Sequence, residues 1–364
     1  MMEDAVLKTS PAVFAVRKNY QILVQTKTPC LLWVCVGETE YYDESNGIMR
    51  SLSELHRVTV PMEALDTARE YTIYVRPLIK RKPYFTETAP IQKYTYAFRP
   101  VPSDNVRAYH IADAHNRIEE PVAAAKAFGN IDLLILNGDV IDHSGDPSKF
   151  DNIYIICDRL TGGNIPVIFS RGNHDMRGNF AEKFAEYTPN TDGNTYYTFR
   201  LGGIWGILLD CGEDKTDDHA EYGHTVCCHH FRKRQSAFLR DIICRKDSEY
   251  EENGVNRRLV ISHNPFTYQL DPPFDIEKEI YTEWATLLSD HIHPDVMICG
   301  HLHRIGVFEK GGELDHLGQP CTLIVGANPE KDRFVGCGYI FGKTEIKVIF
   351  TDSNGRCFDP YRIV

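Results

Sequence analysis

No stretch of the 364 residues stays apolar for the roughly 20 positions a membrane-spanning helix needs, so a spanning helix is not expected. The opening residues, MMEDAVLKTSPAVFAV, carry acids early and lack a basic segment followed by an apolar one, so no secretory leader is expected either. Positive charge is scarce: 40 Lys and Arg face 51 Asp and Glu, for a net charge of −11. No overall positive field draws such a chain to nucleic acid or to an anionic membrane, and the acidic balance counts against a nuclease. A disulfide framework is missing too. The eleven cysteines are an odd number scattered through apparent strands and helices (LLWVCV, MICG, VGCGY), which suits free thiols in a reducing compartment, the cytoplasm. Internal repeats and low-complexity segments are absent.

What is present is an ordinary globular composition, long enough for two domains. Residues 12–98 read as β without a helix. VFAVRK, YQILVQT, CLLWVCVG, HRVTVPM and YTIYVRPLI are rich in Val, Ile, Thr and Tyr and are punctuated by Gly, Asn, Pro and Asp, as in a small all-β sandwich. A proline-bearing linker, residues 99–105, follows. From 106 to 364 strands and helices alternate: VRAYHIAD, then EEPVAAAKAFG with Pro121 near its start and Gly129 past its end, then DLLILNGD, a helix through DNIYIICDRL, and PVIFSRGN. A hairpin is expected at Gly202–Gly203, helices near 230–246 and 277–291, strands at RRLVISHN and DVMICGHLH, and a β-rich tail. This rhythm predicts an α/β domain with helices layered on sheets.

Five of these strands end in the same chemistry. YHIADAH offers Asp113 and His115, and LLILNGDVID offers Asp139 and Asp142. VIFSRGNHD offers Asn173, His174 and Asp175, LVISHN offers His263, and MICGHLH offers His301 and His303. In α/β folds, ligands gather at the carboxyl ends of strands. Seven of these, two Asp, one Asn and four His, would form an oxygen and nitrogen set suited to two divalent transition metals.

Asp-x-His, Gly-Asp-x-x-Asp, Gly-Asn-His-Asp, a lone His after a strand, and Gly-His-x-His, in that order, resemble the calcineurin-like metallophosphoesterases over roughly residues 103–350. The resemblance implies a four-layer αββα sandwich that hydrolyses phosphate esters with two divalent ions, Mn, Fe or Zn. It implies that Asp113, His115 and His303 hold one ion, that Asn173, His263 and His301 hold the other, and that Asp139 bridges them. A hydroxide between the ions would attack phosphorus, and His174 would protonate the leaving group while Asp175 orients its ring. Gly172 lets the chain turn where no Cβ fits. Arg177 is the arginine favoured as a phosphate clamp, with Asn173 also facing the substrate; Arg171, Arg304 and Arg117 are weaker candidates.

The β-rich leader resembles the fibronectin type III-like domain of purple acid phosphatases, but Asp142 stands where those enzymes place an iron-binding tyrosine, so a purple ferric centre is not expected. The adjacent Cys227, Cys228, His229 and His230 point in different directions on any regular element and make a poor zinc cage; residues 214–234 are expected to rim the site. A small phosphorylated substrate is expected, a monoester slightly ahead of a diester. A diesterase acting on cyclic nucleotides or nucleic acid, and a non-catalytic interaction protein on the same scaffold, are the alternatives. No membrane partner is expected.

Overall fold

The computed structural model describes residues 5–44 and 53–364. The leader holds β1 (Ala12–Val16), β2 (Asn19–Val36), β3 (Thr39–Tyr42), β4 (Ser53–Pro61), α1 (Met62–Ala68), β5 (Glu70–Lys80), β6 (Glu87–Thr88) and β7 (Gln92–Ala97). Its strands pair antiparallel among themselves. The helix α1 departs from the all-strand expectation. It turns one buried edge, Met62 and Leu65, inward, and Arg69 closes it by adopting a left-handed φ of 55° and donating to the Leu65 carbonyl. Seven residues carry too little periodicity to be read as a helix from sequence.

The remainder runs β8 (Val106–Ile111), α2 (Glu119–Phe128), β9 (Leu133–Asn137), α3 (Asp151–Thr161), β10 (Val167–Ser170), α4 (Ala181–Phe184), β11 (Tyr197–Leu201) and β12 (Ile204–Leu208). It continues through α5 (Cys228–Cys244), β13 (Arg257–Ile261), α6 (Lys278–Leu287), β14 (Val296–Cys299), β15 (Arg304–Phe308), β16 (Thr322–Glu330), β17 (Arg333–Phe341), β18 (Ile346–Asp352) and β19 (Tyr361–Ile363). One sheet has parallel β8, β9 and β10 at its centre and β17, β18 and β19 beyond β8. The other has parallel β12, β13, β14 and β16, edged by β11 and β15.

Strand alternation builds the layers. Leu133 and Ile135 of β9 face Leu259 and Ile261 of β13 and Val296 and Ile298 of β14 in the core between the sheets. The intervening Leu134 and Leu136 pack outward with Ile153 and Ile156 of α3, and on the far side Val260 and Met297 pack with Leu239 of α5 and Trp284 of α6. Apolar residues on both faces of a strand explain why these strands read as unbroken hydrophobic runs. The result is the expected order of helix, sheet, sheet, helix.

The leader shares this core. Val13, Ile22, Val58 and Val60 belong to the same buried cluster as Ile135 and Ile298. Strand β1 runs parallel to β10, with Phe14 opposite Val167. Arg17 N donates to Thr198 O at 2.6 Å, Tyr71 Oη to Gly163 O at 2.8 Å, and Arg57 to the carbonyls of Ala185, Glu186 and Thr188. All eleven cysteines are unpaired thiols. Among the described residues no helix is long and apolar enough to cross a membrane.

Candidate metal centre

The loops after β8, β9, β10, β13 and β14 meet at one place. Backbone hydrogen bonds stitch them together: Asp113 N to Gly138 O at 3.1 Å, His115 N to Asp139 O at 2.9 Å, and Gly300 N to His263 O at 2.9 Å. Asn137, the last residue of β9, reaches across to the carbonyls of Ser262 and Ile298 at 3.3 and 3.2 Å, so one buried amide joins the two sheets directly behind the site. Sequence reading passed Asn137 over, although a polar residue closing the apolar run LLIL was a usable signal.

Backbone strain concentrates here. Asp113, His115, Asp139, His301 and His303 all have left-handed φ, between 45° and 68°. Asp and His tolerate that region better than most side chains, yet each departure costs about 1–2 kcal/mol, and strain gathered at one point marks a functional site. Glycine answers the same need for close approach. A Cβ on Gly172 would lie 2.2 Å from Asp139 Oδ1 and 2.5 Å from Asp139 N, and one on Gly300 would lie 2.7 Å from Asp113 Oδ2.

The seven residues expected as ligands come together. Asp113, His115 and His303 form one cluster of donor atoms and Asp139, His263 and His301 another, each spanning no more than 4.8 Å. His115 Nε2 lies 3.1 Å from His303 Nε2, and Asn173 Oδ1 lies 3.1 Å from His301 Nδ1. His263 donates from Nδ1 to the Asn137 carbonyl at 2.7 Å, which fixes its tautomer and turns Nε2 inward. That Nε2 sits 3.1 Å from Asp139 Oδ2 and 3.7 Å from Asp113 Oδ1, angled so that it makes no hydrogen bond to either. A nitrogen that faces a buried carboxylate without hydrogen-bonding to it fits a cation held between His263 and Asp139.

The electrostatics agree. Burial opposes charge on His263, but the facing Asp139 outweighs it and the imidazole is pushed up to about 10. Asp139 is correspondingly held well below the usual carboxylate range: burial, which would raise it, is overcome by His263. The pocket thus keeps a positive charge among its carboxylates, the place a metal ion would take. Burial pushes His301 down to about 4 and lowers His115, so both present the neutral imidazole that ligates metals.

Two expected roles are corrected. Asp175 does not orient His174. Its Oδ2 accepts from Gly172 N at 2.8 Å and Asp139 N at 3.1 Å, bracing the backbone beneath the ligands, and burial with the neighbouring Asp139 charge pushes its carboxyl up to about 8. The Asp142 carbonyl takes the orienting role, 2.8 Å from His174 Nδ1. A carbonyl only accepts, so Nδ1 carries the proton and Nε2 faces outward.

Arg177 is not a free phosphate clamp. Glu213 holds it at 3.0–3.2 Å, Asp214 at 2.9 Å and Glu221 at 3.6 Å, leaving one N–H 3.4 Å from His174 Nε2. Glu213 and Asp214 lie 36 and 37 residues away in sequence, beyond any local pattern. Arg171 is paired with Asp210 and Arg304 with Glu313, while Arg117 donates to the Glu330 carbonyl.

The segment after β12 rims this site. Buried Arg232 of α5 anchors it through the carbonyls of Cys211 and Glu213. Cys228 Sγ accepts from Glu213 N while His229 turns to Glu277, so they do not form a zinc cage. The segment instead contributes Asp214, which sequence reading did not single out. Its Oδ1 receives Arg177, Lys215 and Tyr222, and its Oδ2 lies 3.3 Å from Asn173 Nδ2. That contact orients the amide so that Oδ1 faces His301. Asp214→Asn is expected to weaken divalent-ion binding by about tenfold, the usual effect of losing a partner behind a ligand. Calorimetric titration with Mn²⁺ measures it, and unchanged affinity would show that the amide is held by other means.

The chain is similar to several known proteins. A sequence model for a family described as calcineurin-like phosphoesterase matches residues 106–304. A probable cyclic nucleotide phosphodiesterase of Rhodopseudomonas palustris is 26% identical over 186 residues, 48% of this chain and 58% of that protein, so the match spans little more than half of the relative's own length. The structure of a purple acid phosphatase from yellow lupin, Lupinus luteus, superposes with a TM-score of 0.59 at 11% identity. This likeness of fold covers 97% of this chain and 73% of the lupin chain, so it takes in leader and catalytic layers alike.

Proposed function

The chain belongs to the calcineurin-like phosphoesterase family and is a hydrolase of phosphoric esters, and from that premise we propose that it acts on phosphodiesters ahead of monoesters. Asp113, His115 and His303 would hold one divalent ion, Asn173, His263 and His301 a second, with Asp139 between them. Such ions supply Lewis acidity, lowering the pKa of water and drawing charge from phosphoryl oxygens.

The engaged Arg177 carries the diester reading. A monoester brings nearly two negative charges at neutral pH and a diester one. A dianion calls for a free cation beside the metals, and here Glu213, Asp214 and Glu221 outnumber Arg177 and Lys215. The sequence leans towards a monoester; this acidic rim favours the singly charged ester. His174 stands at the same rim, its ring fixed through Nδ1; as the imidazolium, protonated on both nitrogens, it would give the Nε2 proton to a departing alkoxide.

The test is a comparison of bis(p-nitrophenyl) phosphate with p-nitrophenyl phosphate after metal removal and restoration of Mn²⁺, Fe²⁺ or Zn²⁺. A diester preference of about tenfold in kcat/KM is expected, the ratio that ~1.4 kcal/mol of charge repulsion gives. A monoester preference would overturn the reading. The relative's description makes cyclic nucleotides the first natural diesters to assay.

A further inference from the structure

Among the described residues six large hydrophobic side chains stand exposed, and four belong to one hairpin: Ile79 (66% exposed), Tyr84 (81%), Phe85 (93%) and Ile91 (44%). The same stretch, residues 76–93, carries Arg76, Lys80, Arg81, Lys82 and Lys93 against the single carboxylate of Glu87, in a chain whose net charge is −11. Lys82 pairs with Glu87; Lys80 and Arg81 have no ion pair among the described residues.

The tip has a defined shape. Thr86 Oγ1 donates to Lys82 O at 3.0 Å, Ala89 N donates to Pro77 O at 2.9 Å, and Phe85 is held at a left-handed φ of 54°, which a bulky residue rarely adopts. Two aromatic rings are thus presented to water by a fixed turn, one proline after three consecutive cations. Nothing in the metal centre uses them.

We propose that this hairpin tip docks on an anionic lipid surface, with Tyr84 and Phe85 entering the headgroup region and Lys80, Arg81 and Lys82 meeting the lipid phosphates. Cations and aromatics within one turn need a surface that offers negative charge immediately above an apolar layer. A bilayer interface does this, and the combination of basic and aromatic side chains is the one that settles there. An acidic protein face would satisfy the cations and leave the rings in water. The negative charge elsewhere on the chain is screened beyond a Debye length of about 8 Å at physiological salt, so contact is decided by the tip.

Co-sedimentation of the full chain with phosphatidylcholine vesicles, with and without one third phosphatidylserine, tests this. Binding is expected only to the serine-containing vesicles, to fall at about 0.5 M salt, and to weaken about tenfold in each of two variants, Tyr84→Ser with Phe85→Ser and Lys80→Glu with Arg81→Glu. Unchanged thermal melting would show that both variants remain folded. Failure of the parent chain to bind, or binding by either variant as tight as the parent's, would overturn the proposal. Retention on polyglutamate without binding to vesicles would reassign the tip to an acidic protein and equally overturn it.

Discussion

Asp139→Asn is expected to lower phosphoester hydrolysis about 10³-fold and to strip metal from the protein. The carboxylate has two tasks. Oδ1 accepts from His174 N at 2.9 Å, and Oδ2 faces His263 Nε2 at 3.1 Å. An asparagine could keep the first contact through its carbonyl. Its NH₂ would then point at His263 Nε2 and cap the nitrogen that has to meet a cation. The substitution also removes a buried negative charge from the middle of the donor set. Losing several kcal/mol of transition-state stabilisation by metal ions corresponds to a thousandfold change in rate. Metal content by mass spectrometry and kcat/KM on the diester report the two effects separately. A variant with full metal content and the parent rate would refute the place given to Asp139.

The second large effect is expected at His174, and it depends on the leaving group. For an ester whose leaving group is a poor one, an alkoxide or a ribose oxygen, His174→Ala should cost about 10²–10⁴ in kcat, the range for a positioned general acid. For p-nitrophenolate, which departs without help, the loss should be much smaller. A residue that merely supported the fold would slow both esters alike, so the ratio is the diagnostic. Metal content should stay unchanged if the ring is held only by the Asp142 carbonyl; a loss of metal would instead make His174 a ligand through the donor cluster it forms with His115 and Asp142. Equal losses on both esters would remove the acid role.

These effects fall on residues that are legible in the sequence alone. Short loops at the ends of apolar strands carry their chemistry in sequence order, and LLILNGD or MICGHLH announces both the strand and the group it delivers. The layered α/β order was readable for the same reason, since each strand and helix is locally patterned. What was not legible depends on meetings between distant segments. Arg177 looked like a clamp because Glu213 and Asp214 reach it only after the intervening hairpin and the rim have folded. Asp175 looked like a partner for the neighbouring imidazole because sequence adjacency says nothing about direction; its carboxylate turns down to the Gly172 and Asp139 amides. Asp214 sat in a segment whose cysteines and histidines drew the eye, and its value comes from the Asn173 amide above it.

The pairing of β1 with β10 bears on where this chain can be divided. A cut near residue 98, where composition changes, would take away Phe14 and its neighbours and leave Val167 on a bare strand margin. It would also uncover the faces of Ile135 and Tyr197 that share a cluster with the leader. An uncovered, apolar margin of that kind recruits other chains. Lifting the catalytic layers out is therefore expected to expose that margin, because the leader completes the sheet on which the candidate metal ligands stand.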